Sequence, residues 1–130
     1  MKASKLDRLS RVLRMDVSSL ASPFIGCISS MNRYSGVYVI EFDGGYFYIG
    51  KSVNLLSRLE WHLQRNAREV TSSGGCGAKY QSVTDKHLIE RVYILEHQSS
   101  MFDGVLSSRE SMWIGIFHKV LGGRKLVNTA

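Results

Sequence analysis

Two short apolar runs near the middle of the chain predict a β-hairpin. Residues 37–42 and 46–49 are mostly apolar, and an Asp-Gly-Gly sequence at 43–45 separates them. Two such runs joined by a glycine-containing turn are typical of paired antiparallel strands. A two-residue loop would place Tyr38 and Tyr48 on opposite faces of the sheet, because the side chains of a strand alternate.

A three-residue loop gives the strand register that we favour. It pairs Ile40 with Tyr48 and Tyr38 with Gly50, so that both tyrosines share one face as diagonal neighbours about 7 Å apart. Gly45 can end this loop in the left-handed conformation without steric cost. In this register Gly50 leaves an open space over the ring of Tyr38.

Leucines at helical spacing follow the hairpin directly. Ser52 can cap a helix that extends to about residue 68. Arg58 and His62 are four residues apart and therefore share one side of this helix. The apolar face of the helix consists of Leu55, Leu56, Leu59 and Leu63.

The following segments predict one more strand and one more helix. Residues 69–86 are polar and rich in glycine, which predicts a loop. Residues 87–96 predict a third strand, central in the sheet and mostly buried. The last helix begins near Ser107 and ends at Gly122-Gly123. Its apolar side consists of Met112, Trp113, Ile116, Phe117 and Val120. The expected fold class is therefore α/β (α+β), with a small antiparallel three-stranded sheet flanked by helices.

The N-terminal segment predicts a basic amphipathic helix over residues 4–20. Its leucines and valine form one apolar stripe, and lysines and arginines occupy most of the remaining surface. This helix could pack on the core with its cations in water, or it could contact phosphates or a protein partner. We therefore predict an N-terminal helix with a connector at 1–34 and one domain at 35–130.

Composition narrows the class of protein. No apolar run approaches 18 residues, so no membrane span is expected. The net charge of +6 favours a polyanionic partner without identifying one. Cys27 and Cys76 match no zinc-binding spacing, and we expect reduced thiols in a cytoplasmic setting.

Short motifs in order along the chain resemble those of the GIY-YIG nuclease family. The hairpin carries Gly36-Val37-Tyr38 and then Tyr48-Ile49-Gly50-Lys51, and the resemblance continues to the C-terminus. Val37 replaces the family's isoleucine, and the gap between the two tyrosines is short. The positions that correspond to the family's functional residues are Tyr38, Tyr48, Lys51, Arg58, His62, Glu110 and Asn128.

The resemblance implies a metal-dependent DNA endonuclease. Glu110 would hold one Mg²⁺ or Mn²⁺, since magnesium needs only one or two protein carboxylates beside its waters. Tyr38 would be the general base, with its phenolate favoured by Lys51 and the metal ion. Arg58 would hold the scissile phosphate bidentately, and His62 could relay a proton or bind phosphate.

Further expectations concern the partner and the setting. Tyr48 would orient water or a phosphate oxygen, and the predicted partner is DNA. The small size favours a phage-borne enzyme in the host cytoplasm, with the N-terminal helix available for a homodimer or a targeting protein. The predicted DNA contacts are Lys51, Arg58, Arg65, Arg68 and Lys79.

Each assignment has a structural alternative. Tyrosines suit half-buried strands without any catalytic role. Ser107 and Glu110 match a helix capping box, in which the glutamate returns to a backbone N–H. Asn128 could anchor the C-terminal tail rather than serve the active site. The whole chain could also be a non-catalytic nucleic-acid-binding or adaptor module with the family's fold.

Overall fold

The sheet at the centre of the domain is built from the predicted hairpin and one later strand. The computed structural model describes residues 34–72, 74–98, 100–122 and 125–128, so the predicted N-terminal helix lies outside the described residues. The elements in chain order are β1 (Ser35–Phe42), a tight turn (Asp43–Gly45), β2 (Tyr46–Ser52), α1 (Leu55–Asn66), α2 (Ala78–Lys86), β3 (Ile89–Gln98) and α3 (Asp103–Leu121). The three strands are antiparallel, which confirms the predicted α+β class.

The hairpin has the predicted three-residue register. Tyr38 pairs with Gly50 and Ile40 pairs with Tyr48, so the two tyrosines lie on the same face of the sheet. Gly45 has φ of 81°, in the left-handed region that favours glycine. The turn chemistry therefore fixes which side chains meet across the two strands.

The strand order is β2-β1-β3, so β1 is the central strand and β3 is an edge strand. The prediction of a central third strand was wrong, because a strand covered on both faces has the same apolar pattern at an edge. β1 hydrogen-bonds on both sides and is buried along its whole length. The C-terminal tail covers the free edge of β2, where Phe47 pairs with Leu126 in parallel.

Helices cover both faces of the sheet. α1 and α2 pack on the face that carries Tyr38 and Tyr48. α3 packs on the other face, through Trp113 and Phe117. Among the described residues, no helix combines the length and the apolar character that crossing a membrane requires.

The helix boundaries correct three predictions. Asn54 caps α1 through its Oδ1, which accepts from the N–H of Ser57 at 3.1 Å, whereas Ser52 bonds to the backbone of Asn54. The predicted loop at 69–86 contains α2, whose short buried side carries Tyr80. α3 begins at Asp103, one turn before the predicted start.

Candidate active site

A chain of three buried side chains crosses the face of the sheet below α1. The hydroxyl of Tyr38 lies 2.6 Å from Nε2 of His62. On the other side of the imidazole, Nδ1 lies 2.6 Å from the hydroxyl of Tyr80. Tyr38 comes from β1, His62 from α1 and Tyr80 from α2, so the cluster forms only when the three elements pack together.

Burial controls the proton affinities of this cluster. Desolvation raises the pKa of Tyr38 far above its ordinary value, and the nearby Arg58 guanidinium lowers it only in part. Desolvation also holds the pKa of His62 well below its usual range, with a further decrease from Arg58. The Arg58 cation does favour the Tyr38 phenolate, but desolvation outweighs its attraction. The resting pair is a neutral phenol and a neutral imidazole.

Gly50 allows the Tyr38 ring to lie against β2. A Cβ placed on Gly50 would lie 2.3 Å from Cζ and Oη of Tyr38. The ring thus fills the space that the sequence predicted to be open. Glycine at this position is required by the close approach, and it places the Tyr38 hydroxyl beside His62.

Arg58, Tyr48 and Cys76 form a second group beside the buried chain. Nη2 of Arg58 donates to the carbonyl of Gly74 at 2.7 Å and to Sγ of Cys76 at 3.2 Å. The Tyr48 hydroxyl donates to the same sulfur at 3.3 Å. The Arg58 guanidinium also stacks on Trp61, 4.5 Å from the ring centroid. The arginine predicted to bind phosphate is thus held in place by the segment before α2.

Lys51 lies on the opposite face of the sheet from Tyr38. It pairs with Val37, one position along from the Tyr38–Gly50 pair. Its ammonium donates to Asp103 Oδ1 at 3.0 Å and to the Ser107 hydroxyl at 2.6 Å. Lys51 is therefore bound to the first turns of α3 and does not lie beside the Tyr38 hydroxyl.

Glu110 is half-buried on α3. Desolvation raises the pKa of its carboxyl group, while Lys51 lowers it and Asp103 raises it. The Glu110 charge also contributes to the raised pKa of the Cys76 thiol, so the carboxylate interacts electrostatically with Cys76. The capping-box alternative is wrong, because Ser107 lies inside α3 rather than at its N-cap.

Asn128 anchors the tail to the edge of β2. Its Oδ1 accepts from the N–H of Ile49 and its Nδ2 donates to the carbonyl of Ile49, both at 2.7 Å. The side-chain amide thus extends the ladder that joins Phe47 to the tail. Through Ile49 it fixes the backbone between Tyr48 and Gly50.

The remaining predicted DNA contacts have different environments. Arg65 is buried and its Nη1 donates to Asp85 at 2.6 Å, so its guanidinium is engaged within the domain. Arg68 is exposed, with φ of 62° and a hydrogen bond to the Asp85 carbonyl. Lys79 is half-buried and donates to the carbonyl of Leu126 at 2.9 Å.

Sequence reasoning missed three members of the site: Tyr80, Cys76 and Trp61. Tyr80 and Cys76 lie in a polar, glycine-rich stretch whose pattern gave no sign of burial. Trp61 lies next to His62, and its contact with Arg58 three positions earlier was a detectable signal at helical spacing.

Comparison of the sequence with models of protein families, with curated proteins and with solved structures gives no significant match. Within the part of the chain that the structure describes, no cluster of three histidine, cysteine or acidic side chains could hold a metal ion. The residues of the site themselves therefore indicate what chemistry it can perform.

Proposed function

We propose that this protein is a metal-dependent DNA endonuclease that hydrolyses phosphodiester bonds. The observation that carries the proposal is the convergence of Tyr38, Tyr48, Arg58 and His62, which come from three separate elements. Two of these residues are joined at 2.6 Å across 24 positions of sequence. The hydrophobic core alone does not require two phenols, an imidazole and a guanidinium to meet at one place.

Arg58 is suited to hold the phosphate that is cleaved. The charge of its guanidinium acts on the Tyr38 hydroxyl, and the guanidinium is stacked on the Trp61 ring. A guanidinium offers paired donors that match two phosphate oxygens. Nη2 of Arg58 donates to Gly74 and Cys76. A bound phosphate would replace these two acceptors.

The chemistry of Glu110 fits a hard divalent cation. Its half-buried carboxylate offers oxygen ligands, and its pKa is raised by desolvation, so a bound cation would relieve the cost of burying the charge. Mg²⁺ takes few protein ligands and retains waters, so one carboxylate suffices. When bound, Mg²⁺ or Mn²⁺ would supply positive charge for the phosphoryl oxygens and the leaving oxygen.

Tyr38 is the proposed group that removes a proton from the attacking water. Its raised pKa means that it acts from the neutral phenol, with His62 as its hydrogen-bonded partner. Tyr48 and Arg58 orient the phosphate, and Asn128 holds β2 in register through Ile49. The basic composition, with a net charge of +6, supports DNA as the polyanionic substrate. We also propose that the protein acts in the cytoplasm.

Incubation with supercoiled plasmid tests the activity. We expect nicking in the presence of Mg²⁺ and none after addition of a chelator. Glu110→Gln should abolish nicking because it removes the proposed metal ligand, whereas Glu60→Gln, an exposed position on α1, should retain it. Arg58→Lys should not restore full activity, because an ammonium cannot bind two phosphate oxygens in the same geometry.

Binding without cleavage would contradict the proposal. If the protein binds duplex DNA but never nicks it with Mg²⁺ or Mn²⁺, the adaptor alternative is correct. Normal cleavage by Glu110→Gln would overturn the assignment of Glu110 as the metal ligand. The role of Tyr38 as the general base would then be tested separately with Tyr38→Phe.

A further inference from the structure

Tyr80 is positioned as firmly as the residues that resemble the nuclease motifs. It is fully buried on α2, and its ring contacts Tyr48 at 4.9 Å and Phe42 at 6.0 Å between centroids. Trp61 stacks on it at 6.1 Å. These contacts hold its hydroxyl 2.6 Å from Nδ1 of His62.

The hydrogen bonds of His62 must have a direction. A neutral imidazole carries a hydrogen on one ring nitrogen and a lone pair on the other. His62 has a phenol at each nitrogen, so one tyrosine donates to the ring and the other accepts from it. The identity of the donor decides whether His62 can receive a proton from Tyr38.

Arg58 indicates the direction. A guanidinium has N–H donors and no acceptor, and the positive charge of Arg58 acts on the Tyr38 hydroxyl. This charge favours the Tyr38 oxygen turned toward Arg58 and the Tyr38 hydrogen directed to Nε2 of His62, which lies 2.6 Å away. The hydrogen of the imidazole then lies on Nδ1, and the Tyr80 oxygen accepts it.

We infer that Tyr80 is a positioning residue that holds His62 in the Nδ1–H tautomer, with Nε2 open to the proton of Tyr38. The arrangement is similar to a nucleophile–histidine–acceptor triad, in which the third group fixes the tautomer and orientation of the imidazole. Here the third group is a neutral phenol.

The consequence for catalysis rests on the proposed function. As the water oxygen attacks phosphorus, a water proton moves to Oη of Tyr38, and the phenolic proton of Tyr38 moves to Nε2 of His62. The bond from phosphorus to the leaving oxygen breaks, and that oxygen keeps the electron pair and takes a proton from solvent. The imidazolium of His62, whose Nδ1–H still donates to Tyr80, returns its extra proton to solvent through Tyr38.

Nitrogen NMR of His62 tests the tautomer directly, without any assay of activity. In ¹⁵N-labelled protein, long-range couplings identify which ring nitrogen carries hydrogen. We expect Nδ1–H in the unaltered protein and a shift of population to Nε2–H in Tyr80→Phe, because the acceptor for Nδ1–H has been removed. Tyr46→Phe, which also loses a hydroxyl on this sheet, should leave the His62 pattern unchanged.

Two spectra would overturn the inference. An Nε2–H tautomer in the unaltered protein would mean that Tyr80 donates to His62 and that the direction is reversed. An unchanged Nδ1–H pattern in Tyr80→Phe would mean that Tyr80 does not set the tautomer. The unaltered protein alone can contradict the proposal, so the test does not depend on the folding of the variant.

Plasmid nicking then tests the catalytic consequence separately. Tyr80→Phe should lower kcat at least tenfold while KM changes less than twofold, because Tyr80 does not touch the substrate. Equal rates for Tyr80→Phe and the unaltered enzyme would refute the relay. Absence of nicking in the unaltered protein, together with the expected tautomer, would refute the proposed function and leave the assignment of Tyr80 to His62 intact.

Discussion

The side-chain amide of Asn128 makes two hydrogen bonds of 2.7 Å to the backbone of Ile49, one as acceptor and one as donor. The two residues are 79 positions apart in sequence. The amide therefore acts as one more peptide unit at the edge of β2. Since Tyr48 and Gly50 flank Ile49, the tail supports the strand that shapes the candidate active site.

Asn128→Ala should lower the free energy of unfolding by about 2 kcal/mol, because two partly buried hydrogen bonds are lost. Asn128→Asp should be at least as destabilising, since one of its oxygens would face the carbonyl of Ile49. Urea denaturation measures both. Gln64→Ala, at an exposed position of α1, is the control and should change stability by less than about 0.5 kcal/mol. An Asn128→Asp protein as stable as the original would contradict this account.

The hairpin and its consequences could be predicted from sequence because they depend on local rules. The position of Gly45 selects the loop, the loop selects the register, and the alternation of side chains then places Tyr38 and Tyr48 together. The helical spacing of Arg58 and His62 likewise placed both on one side of α1. Short-range geometry thus fixed which side chains share a face of each element, whereas the packing of α1 on the sheet brings the two sets together.

Other parts of the site depend on tertiary packing and could not be predicted in the same way. α2 buries only Tyr80, Val83 and Thr84, too few positions among polar residues for a clear helical period. Arg65 seemed available for DNA on charge alone, but its ion pair with Asp85 spans 20 positions. A sequence pattern shows which face of a helix or strand is buried, but it does not show which other element packs against that face.

Gly50→Ala should displace the Tyr38 ring, because the added Cβ would lie 2.3 Å from its hydroxyl oxygen. We expect a loss of about 1–3 kcal/mol in stability from overpacking, together with loss of plasmid nicking as the bond to His62 breaks. Gly115→Ala on α3 is the matched control, since beyond its chain neighbours and the adjacent helix backbone its Cβ would meet no atom within 4 Å.

Gly115→Ala should stabilise the protein by about 0.5–1 kcal/mol, as expected for glycine replaced inside a helix, and should leave nicking unchanged. Thermal unfolding and the plasmid assay measure the two effects on the same samples. If Gly50→Ala retained both stability and nicking, the close approach of Tyr38 to β2 would not be required.

Stability should fall as the pH is lowered through the ordinary titration range of histidine. Burial holds the pKa of His62 well below 6.5 in the folded protein, whereas in the unfolded chain it is about 6.5. Between these two values the unfolded chain binds a proton that the native protein does not. The contribution of His62 is therefore fully present above about pH 6.5 and declines below it, by up to about 1.4 kcal/mol per pH unit.

Urea denaturation between about pH 5 and 8 measures this dependence. His62→Gln should be less stable at pH 8 and should have a flatter stability profile below pH 6.5. His118→Gln, at an exposed position of α3, should keep the original profile. An unchanged profile in His62→Gln would contradict the buried neutral state of this histidine.

Substitution of Arg65 should lower stability more than substitution of Arg68, because Arg65 is buried and Arg68 is exposed. Arg65→Met removes the hydrogen bond to Asp85 from a buried position, so we expect a clear loss of stability. Arg68→Met removes an exposed guanidinium, so its effect on stability should be the smaller of the two. Urea denaturation of both variants provides this comparison.

In DNA binding we expect the opposite result, with a larger effect of Arg68→Met than of Arg65→Met. Each phosphate contact contributes about 0.9 to the slope of log affinity against log salt concentration. If Arg68 contacts a phosphate, Arg68→Met should lower that slope by about 0.9. Arg65→Met should leave the slope unchanged, because the Arg65 guanidinium is buried and bound to Asp85. Fluorescence anisotropy with a labelled duplex in chelator measures binding without cleavage. A lower slope in Arg65→Met with no loss of stability would contradict the buried pair, because Arg65 would then have to reach the DNA.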